Sequence, residues 1–309
     1  MVDVSIIIPT YNRLWSLPKA ISSCREQGPT TEVIVIDDGS TDGTWEWLQQ
    51  QQDLTLLRQD NQGKDWAVNK GFALATGKYV RFLDSDDWLL SGSTKALFEA
   101  AERGELDVTC AGYQVFTEDE QLIKEIQWTV CDDFLAQQLG ECDSSHYSAY
   151  LFRKSFIEDI PHRQEFAALD DRQFIIEVAL KLPKIGYVQQ STFAHRAHGR
   201  QRLQNASGLT EAASHLAQLN IYKKCFEKLE QEGRLTQRYK SAASNKLWHL
   251  AHWIAKTDIN TGREVYNWLY QLSPAFIPGE NRGIARMYKL MGFAATERLL
   301  TIRRLLNAR

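Results

Sequence analysis

The first 87 residues repeat one pattern: a short apolar run, a polar turn, then a stretch of helical length. Val4–Ile8 runs into Pro9, Glu32–Asp37 into Asp38-Gly39-Ser40, Leu54–Leu57 into Asp60-Asn61-Gln62-Gly63, and Tyr79–Leu83 into Asp84-Ser85-Asp86-Asp87. Unbroken apolar runs mark strands covered on both faces, and strands alternating with helices of this length build βαβ units around a parallel sheet. Right-handed crossovers bring the carboxyl ends of such strands to one edge. Tyr11, Asp38, Gly63 and Asp86 are therefore expected in one crevice. Pro9 is predicted to stop the first strand. Helices are predicted from Ser16, with its hydroxyl as cap and Pro18 in the first turn, from Trp45, and from Asp65 to Ala75.

Asp84 and Asp86 stand two apart at a strand end. On an extended backbone their carboxylates point to the same side. Ligands of open α/β sheets collect at this edge. Two hard oxygen donors with no nearby His or Cys in sequence suit Mg²⁺ or Mn²⁺ better than zinc, and such ions complete their shell with water and substrate phosphate. The plainer reading is a solvated acidic turn in which Asp87 or Ser91 caps the next helix.

After the acids the pattern changes. Val108–Phe116 and Ile123–Val130 flank a polar turn and read as a hairpin. Tyr147–Phe152 reads as a strand, Asp170–Leu182 as a helix closed by Pro183, and Tyr187–Phe193 as extended. From about Leu209 only helical signals remain, and a soft boundary falls at Asn205–Gly208. At 309 residues the chain has room for one large domain or two ordinary ones. A net charge of −3 argues against general nucleic-acid binding. Five cysteines without a C-x-x-C imply a reducing compartment and no disulfide framework. The N-terminus lacks the basic and apolar regions of a signal peptide, and no run approaches the length of a membrane span. A cytoplasmic protein is expected, with room for peripheral contact on the inner face of the membrane.

Four segments together carry a resemblance. They are Val4-Ser5-Ile6-Ile7-Ile8-Pro9-Thr10-Tyr11-Asn12-Arg13, Asp37–Asp42, Asn61-Gln62-Gly63 through Asn69-Lys70-Gly71, and Leu83–Asp87. In that order and context they resemble the family 2 glycosyltransferases of the GT-A fold. The resemblance implies an α/β fold, with a Rossmann-like, mostly parallel sheet flanked by helices. It would comprise a catalytic domain over 1–205 (nucleotide-binding half 1–105, acceptor half 106–205) and a helical region over 206–309. It implies inverting transfer of a sugar from a nucleotide diphosphate sugar, UDP-linked, to an acceptor hydroxyl in cell-surface polysaccharide or glycolipid synthesis. The acceptor would be a glycan or lipid-linked, and no nucleic acid takes part.

The same resemblance assigns roles. Pro9, Tyr11 and Arg13 belong to the donor site, where a tyrosine ring offers a stacking face for a base. Asp38 matches the acid that accepts an N–H of a uracil-type base, with helix capping as the alternative. Gly63, Lys64 and Asn69 match the loop beside base and diphosphate. A lysine there is a donor-rich point charge for phosphate, or a solvated surface lysine. Asp84 and Ser85 fall on the ribose side. Asp86 matches the ligand of Mn²⁺ or Mg²⁺, with Asp84 and His198 as further metal candidates. Asp171 matches the general base, with Asp170 replacing the family's glutamate and remaining an alternative; dipole-favoured helix-start acids are the plainer reading. Arg196 or His198 would contact the diphosphate; Arg200 and Arg202, where the family usually has small polar residues, depart from its pattern and are candidates for the acceptor or phosphate.

A nucleotidyltransferase would carry a Gly-rich basic loop after the first strand, and an NAD enzyme a G-x-G-x-x-G; neither is present. A non-catalytic relative of the fold is opposed by the retained acids Asp38, Asp84, Asp86 and Asp171. Trp88 is a candidate for meeting a sugar face, with core packing as the default. His249 and His252 share a helix that is expected to pack through Trp248 and Trp253. Residues 281–309 carry seven basic side chains against Glu297 alone, a balance of +6, so the remainder of the −3 chain sums to −9. Ile284, Met287, Tyr288, Met291, Ala295, Leu299, Ile302, Leu305 and Leu306 recur at helical spacing. A basic amphipathic helix of this kind reads as a membrane-surface contact, against packing on neighbouring helices.

Overall fold

A computed structural model of the chain describes residues 1–25, 27–199, 211–279 and 282–307. It divides into two compact units: Met1–Phe134 with Asp143–Ser207, and Leu135–Cys142 with Gly208–Arg309.

The first unit is built on a nine-stranded sheet. Its elements run β1 (Val4–Thr10), α1 (Leu17–Cys24), β2 (Thr31–Asp37), α2 (Thr44–Leu48), β3 (Leu54–Arg58), α3 (Lys64–Leu74), β4 (Tyr79–Phe82), β5 (Trp88–Leu89) and α4 (Ser93–Gly104). There follow β6 (Val108–Phe116), β7 (Leu122–Ile126), α5 (Phe134–Leu139, mostly in the second unit), β8 (Tyr150–Arg153), α6 (Lys154–Ile157), α7 (Asp170–Leu180) and β9 (Ile185–Arg196). The strand order is β3-β2-β1-β4-β8-β6-β9-β5, with β7 paired to β6. The ladders among β1 to β4 are parallel, as the βαβ pattern requires. β8 pairs antiparallel with β4 and β6, and β9 runs parallel to β6. The α/β class, with flanking helices and helices at the C-terminus, agrees with the expectation.

Alternation along the strands covers both sheet faces. Val4, Ile6, Ile8, Val33, Val35 and Tyr79 pack with Leu17, Ala20 and Ile21 of α1 and Leu97 and Ala101 of α4. Each of the Val, Leu and Ile side chains contributes roughly 1.5–3 kcal/mol when fully buried. On the other face α3 lies so close to β1 that a Cβ on Gly71 would sit 2.5 Å from Ile7 Cγ2. Phe82 meets Phe174 of α7 there, ring centroids 5.7 Å apart.

Pro9 does not stop β1. The Ile7 carbonyl accepts from Leu83 N–H and the Thr10 carbonyl from Asp38 N–H, so odd residues face β4 and even ones β2. Pro9 faces β4 beyond the last Ile7–Phe82 pair, where its missing N–H breaks no ladder bond. Tyr147–Ala149 is a 3₁₀ turn rather than strand.

Arg81, inside the apolar run of β4, is fully buried. It donates to Ser93 Oγ and Thr94 Oγ1 at 2.9 Å, to the Thr192 carbonyl at 2.9 Å, and to the Ser148 carbonyl at 3.3 Å. Burial pulls its pKa down to about 9. The side chain thus ties β4 to the start of α4, to β9 and to the 3₁₀ turn, three residues before Asp84. Arg81→Met removes all of these bonds, leaving the Thr192 carbonyl only Leu90 N–H, and is expected to lower stability by about 3 kcal/mol, read as a loss in denaturation midpoint of the full chain.

The second unit is helical: α8 (Glu211–Gln231), α9 (Gln237–Ala255), α10 (Ile259–Leu272), α11 (Arg282–Met291) and α12 (Phe293–Asn307). The Thr236 side chain caps α9 by accepting from Tyr239 N–H, and Asp258 caps α10 by accepting from Asn260 and Thr261 N–H. Trp248, Val265, Leu269, Tyr288 and Phe293 are buried. Trp253, expected to pack with Trp248, is 38% exposed. His252 is not paired with His249: its Nδ1 lies 2.5 Å from Glu297 Oε1, and Tyr288 donates to the same oxygen. The stripe predicted over 281–309 does not lie on one helix. Gly292, at φ +76°, ends α11 and starts α12 on a new axis. Phe293 and Glu297 point inward, while Leu290, Met291, Leu299 and Ile302 are exposed.

Candidate active site

The loops that follow β1 and β2 are stitched together before any ligand is considered. Asn12, at φ 51°, donates its N–H to Ser40 Oγ and accepts Thr41 N–H on its side chain, both at 2.8 Å. Arg13 N–H donates to Thr44 Oγ1 and Leu14 N–H to Asp42 Oδ2. Pro9 is buried at the floor, and Tyr11 is half-buried on the loop.

Asp38 caps no helix. Its Oδ1 accepts from Gln59 Nε2 at 2.6 Å and Gln62 N–H at 2.8 Å, and its Oδ2 from Gly63 N–H at 2.9 Å. Three donors fix the carboxylate and seat the Gln62-Gly63 turn against it. A carboxylate has room for about four such bonds, so Oδ2 retains acceptor capacity. Gln59 was not singled out from sequence; only its place at the end of β3 signals it.

The acidic turn after β4 is bound on every side. Ser16, expected as a cap, instead donates its hydroxyl to the Ser85 carbonyl at 2.9 Å and makes no cap bond. Lys64 is ion-paired with Asp84. Burial works against the Lys64 ammonium, but Asp84, Asp171 and Asp170 hold its pKa above the ordinary lysine value. Asp86 Oδ2 lies 3.0 Å from His198 Nε2 and 3.7 Å from Arg13 Nε. Burial favours the neutral acid, yet His198, Arg13 and Lys64 outweigh it and bring Asp86 down to about 2. Asp87 caps no helix either: it is buried, accepts from Arg196 N–H at 2.8 Å and faces His195 Nδ1 at 3.2 Å. Burial pushes its pKa up to about 6.

Arg196 is committed to this scaffold. Its guanidinium donates to the Asp86 and Glu118 carbonyls, lies 3.8 Å from Glu120 Oε1, and packs over the Trp15 and Trp88 rings at 5.6 and 4.8 Å. Trp88 is buried in β5 beneath it, as core packing predicts. Arg200 and Arg202 lie outside the described residues.

The two acids that open α7 differ. Asp170 is buried and both oxygens are engaged: Oδ2 bonds His162 Nδ1, and Oδ1 accepts Arg163 N–H at 2.6 Å. His162 is held in turn by Tyr147 Oη at 2.8 Å and by a stack on Phe174. Asn69, expected beside the donor, clamps the same residue: its amide donates to the His162 carbonyl at 2.8 Å and accepts His162 N–H at 2.9 Å. Among the described residues, Asp171 accepts only Arg172 N–H, at 2.7 Å through Oδ1. No donor among the described residues reaches its Oδ2. Burial raises the Asp171 pKa against the pull of Lys64, and Asp84 raises it further.

Lys64 therefore pairs with Asp84, and Arg13 and His198 meet Asp86, with Asp86 in the field of Lys64 and Asp171 in that of Lys64 and Asp84. Asp38 and Gly63 form a second cluster at the ends of β2 and β3. Asn69, Asp170 and Arg196 serve as supports. His162 was missed, since the sequence shows neither its bond to Asp170 nor the Asn69 clamp from 93 residues away. The Asp84 and Asp86 carboxylates and the buried His198 imidazole are a donor set that fits Mn²⁺, or Mg²⁺ through the carboxylates.

The model of the family described as "Glycosyl transferase family 2" matches residues 5–160. The GalNAc(5)-diNAcBac-PP-undecaprenol beta-1,3-glucosyltransferase of Campylobacter jejuni is 31% identical over 230 residues, covering 69% of each chain. The putative teichuronic acid biosynthesis glycosyltransferase TuaG of Bacillus subtilis is 36% identical over 154 residues, 45% of this chain and 59% of the relative. The match to EpsH of Bacillus subtilis, at 25% identity, spans 63% of this chain and 61% of that relative. Crystal structures of S. aureus TarS 1-349, in complex with UDP and with UDP-GlcNAc, superpose with a TM-score of 0.55. The UDP complex is 17% identical and the alignment covers 96% of this chain and 90% of TarS, a likeness of fold. The fold is GT-A, the architecture of nucleotide-sugar transferases. The chain belongs to glycosyl transferase family 2.

Proposed function

We propose that the chain transfers a sugar from a UDP-linked donor to an acceptor hydroxyl with inversion, Asp171 acting as general base. The observation that carries this reading is the asymmetry of the α7 acids: Asp170 is spent on His162 and Arg163, while Asp171 keeps an oxygen open beside the Lys64–Asp84 pair. Asp171 takes the proton of the acceptor hydroxyl as its oxygen attacks the anomeric carbon. The bond from that carbon to the diphosphate breaks in the same displacement, which inverts the centre. Lys64 and Arg13 lie where the leaving phosphates develop charge, Asp38 Oδ2 suits the imide N–H of a uracil, and Tyr11 offers the ring face. A divalent ion, Mn²⁺ or Mg²⁺, held by Asp84, Asp86 and His198, would neutralise charge on the leaving diphosphate. The UDP and UDP-GlcNAc complexes of TarS support the donor class. A thermal-shift series tests it: UDP should raise Tm more than GDP, and Mn²⁺ should add to the gain, because a ligand of the native state alone stabilises it. Equal shifts with all nucleotides would remove the uridine assignment. Release of free UDP from the donor separates a transferase from a non-catalytic binder.

The names of the Campylobacter and Bacillus relatives support an undecaprenyl-linked or cell-surface polysaccharide acceptor. Among the described residues no helix is long and apolar enough to cross a membrane. Leu290, Met291, Leu299 and Ile302 are exposed on α11 and α12 alongside exposed Arg286, Lys289 and Arg298. This surface suits peripheral contact with an anionic inner leaflet, each basic residue contributing about 1 kcal/mol. The full protein should co-sediment with phosphatidylglycerol liposomes, release as salt rises, and stay in the supernatant with neutral ones. Absence from the anionic pellet at low salt would end the membrane reading.

A further inference from the structure

We propose that Asp87, His146 and His195 form a second metal site, distinct from the Asp84–Asp86–His198 set and suited to Zn²⁺ rather than Mg²⁺. The ligand atoms of these three residues lie within 4.8 Å of one another. They come from three separate segments: the acidic turn, the loop before the 3₁₀ turn at Tyr147, and β9. Asp87 Oδ2 and His195 Nδ1 are 3.2 Å apart. Tetrahedral zinc, with bonds near 2.0–2.1 Å, has ligand–ligand edges of about 3.3 Å, so the ion can replace the shared proton with little movement. The His146 and His195 rings stand side by side, centroids 5.3 Å apart and planes at 34°. Two imidazoles and one carboxylate are a borderline-soft set, favoured by zinc and disfavoured by magnesium.

The surroundings are those of an ordered metal site. The other Asp87 oxygen is anchored by Arg196 N–H at 2.8 Å, an outer contact that fixes a ligating carboxylate. Tyr113 and Phe193 wall His146, with centroids 5.7 and 4.8 Å away, while His195 stays partly open to solvent. Among the described residues, the hydrogen bond to His146 is from Ser148 N–H to Nδ1 at 3.3 Å, beyond the usual range, so a metal outcompetes it readily. Three protein ligands leave a fourth position for water. A bound ion would join the acidic turn to β9 and to the 3₁₀ turn, bracing the carboxylates of the donor site from behind.

The test uses the full chain, stripped with chelator, without nucleotide. Zn²⁺ is titrated by calorimetry, and Co²⁺ is followed by the visible absorption of tetrahedral coordination. The Asp87–His146–His195 site should take one equivalent, apart from any ion held by Asp84, Asp86 and His198. His146→Gln and His195→Gln should each weaken it at least ~100-fold and abolish the Co²⁺ bands. Asp86→Ala should retain both signals, which separates this site from the one beside it. His146→Cys, which restores a zinc ligand, should regain Zn²⁺ binding and add a thiolate band, showing that the Gln variant failed through lost ligation and not lost fold. Failure of the wild type to bind Zn²⁺, or binding lost with Asp86→Ala and kept by His146→Gln, overturns the proposal. Either result leaves the transferase reading standing, since that reading rests on UDP release.

Discussion

Asp171→Asn is expected to bind a UDP-sugar as the wild type does and to transfer it 10²- to 10⁴-fold more slowly, the usual range for a lost general base. The amide keeps the shape of the carboxylate and its contact with Arg172 N–H, but it cannot take a proton. The interaction it removes is made only in the transition state, so kcat and kcat/KM fall together. Asp170→Asn has a different signature. It replaces the charge that holds His162 Nδ1 and Arg163 N–H by a weaker neutral amide in a buried pair, so a drop in Tm accompanies any loss of rate. Stopped-flow donor binding, steady-state kinetics and melts on the two variants separate the roles. A fall in donor affinity equal to the fall in rate for Asp171→Asn, or a greater rate loss in a fully folded Asp170→Asn, reassigns the base.

The pH profile follows from the same residue. The base acts ionised, and burial holds the Asp171 pKa above the ordinary carboxylate value. Activity is therefore full above the raised pKa and is lost as pH falls through it, at a higher pH than an exposed aspartate would give. Lys64 lowers the Asp171 pKa. Lys64→Gln should thus move the acid limb of kcat upward in pH, in addition to any effect on donor binding. An acid limb that stays in place would mean that Lys64 does not act on the titrating group.

What could be read from the residues divides along a physical line. Continuous apolar runs are a local property, so β1 to β4, and the acids that follow β4, were visible at once. The hairpin of β6 and β7 was visible for the same reason. Arg81 was not, because nothing local distinguishes a buried arginine from a polar interruption; its acceptors lie 12, 13, 67 and 111 residues away. Asp170 and Asp171 look alike at a helix start, and both suit its dipole. What separates them is His162, fixed by Asn69 from 93 residues away. Ser16 and Asp87 had the chemistry of caps, but tertiary partners claimed them. At the C-terminus the helical period is a local property and the residues are helical, while Gly292 parts them into two helices and interrupts the expected stripe.

Asp86→Ala is expected to abolish transfer and the Mn²⁺-dependent part of donor binding. Asp86 is the acid most firmly held as an anion here, by His198, Arg13 and Lys64 acting together against burial. Because its pKa is depressed to about 2, its contribution to stability is present above the ordinary aspartate pKa and is lost only as pH falls through that lower value. The alanine also strips the His198 ring, buried to 1% exposure, of its carboxylate partner, which costs about 1–3 kcal/mol for an unsatisfied buried polar group. Asp86→Asn resolves the ambiguity that this creates. The asparagine side chain can still bond His198 Nε2, so the fold should hold near the wild-type Tm, but it is a far weaker ligand for a divalent cation. If Asp86→Asn melts normally yet transfers no sugar, and its donor affinity no longer responds to Mn²⁺, the loss belongs to the metal. If Asp86→Asn retains activity, or if chelator leaves the wild type active, the carboxylate is structural and Lys64 and Arg13 alone must balance the charge on the leaving diphosphate.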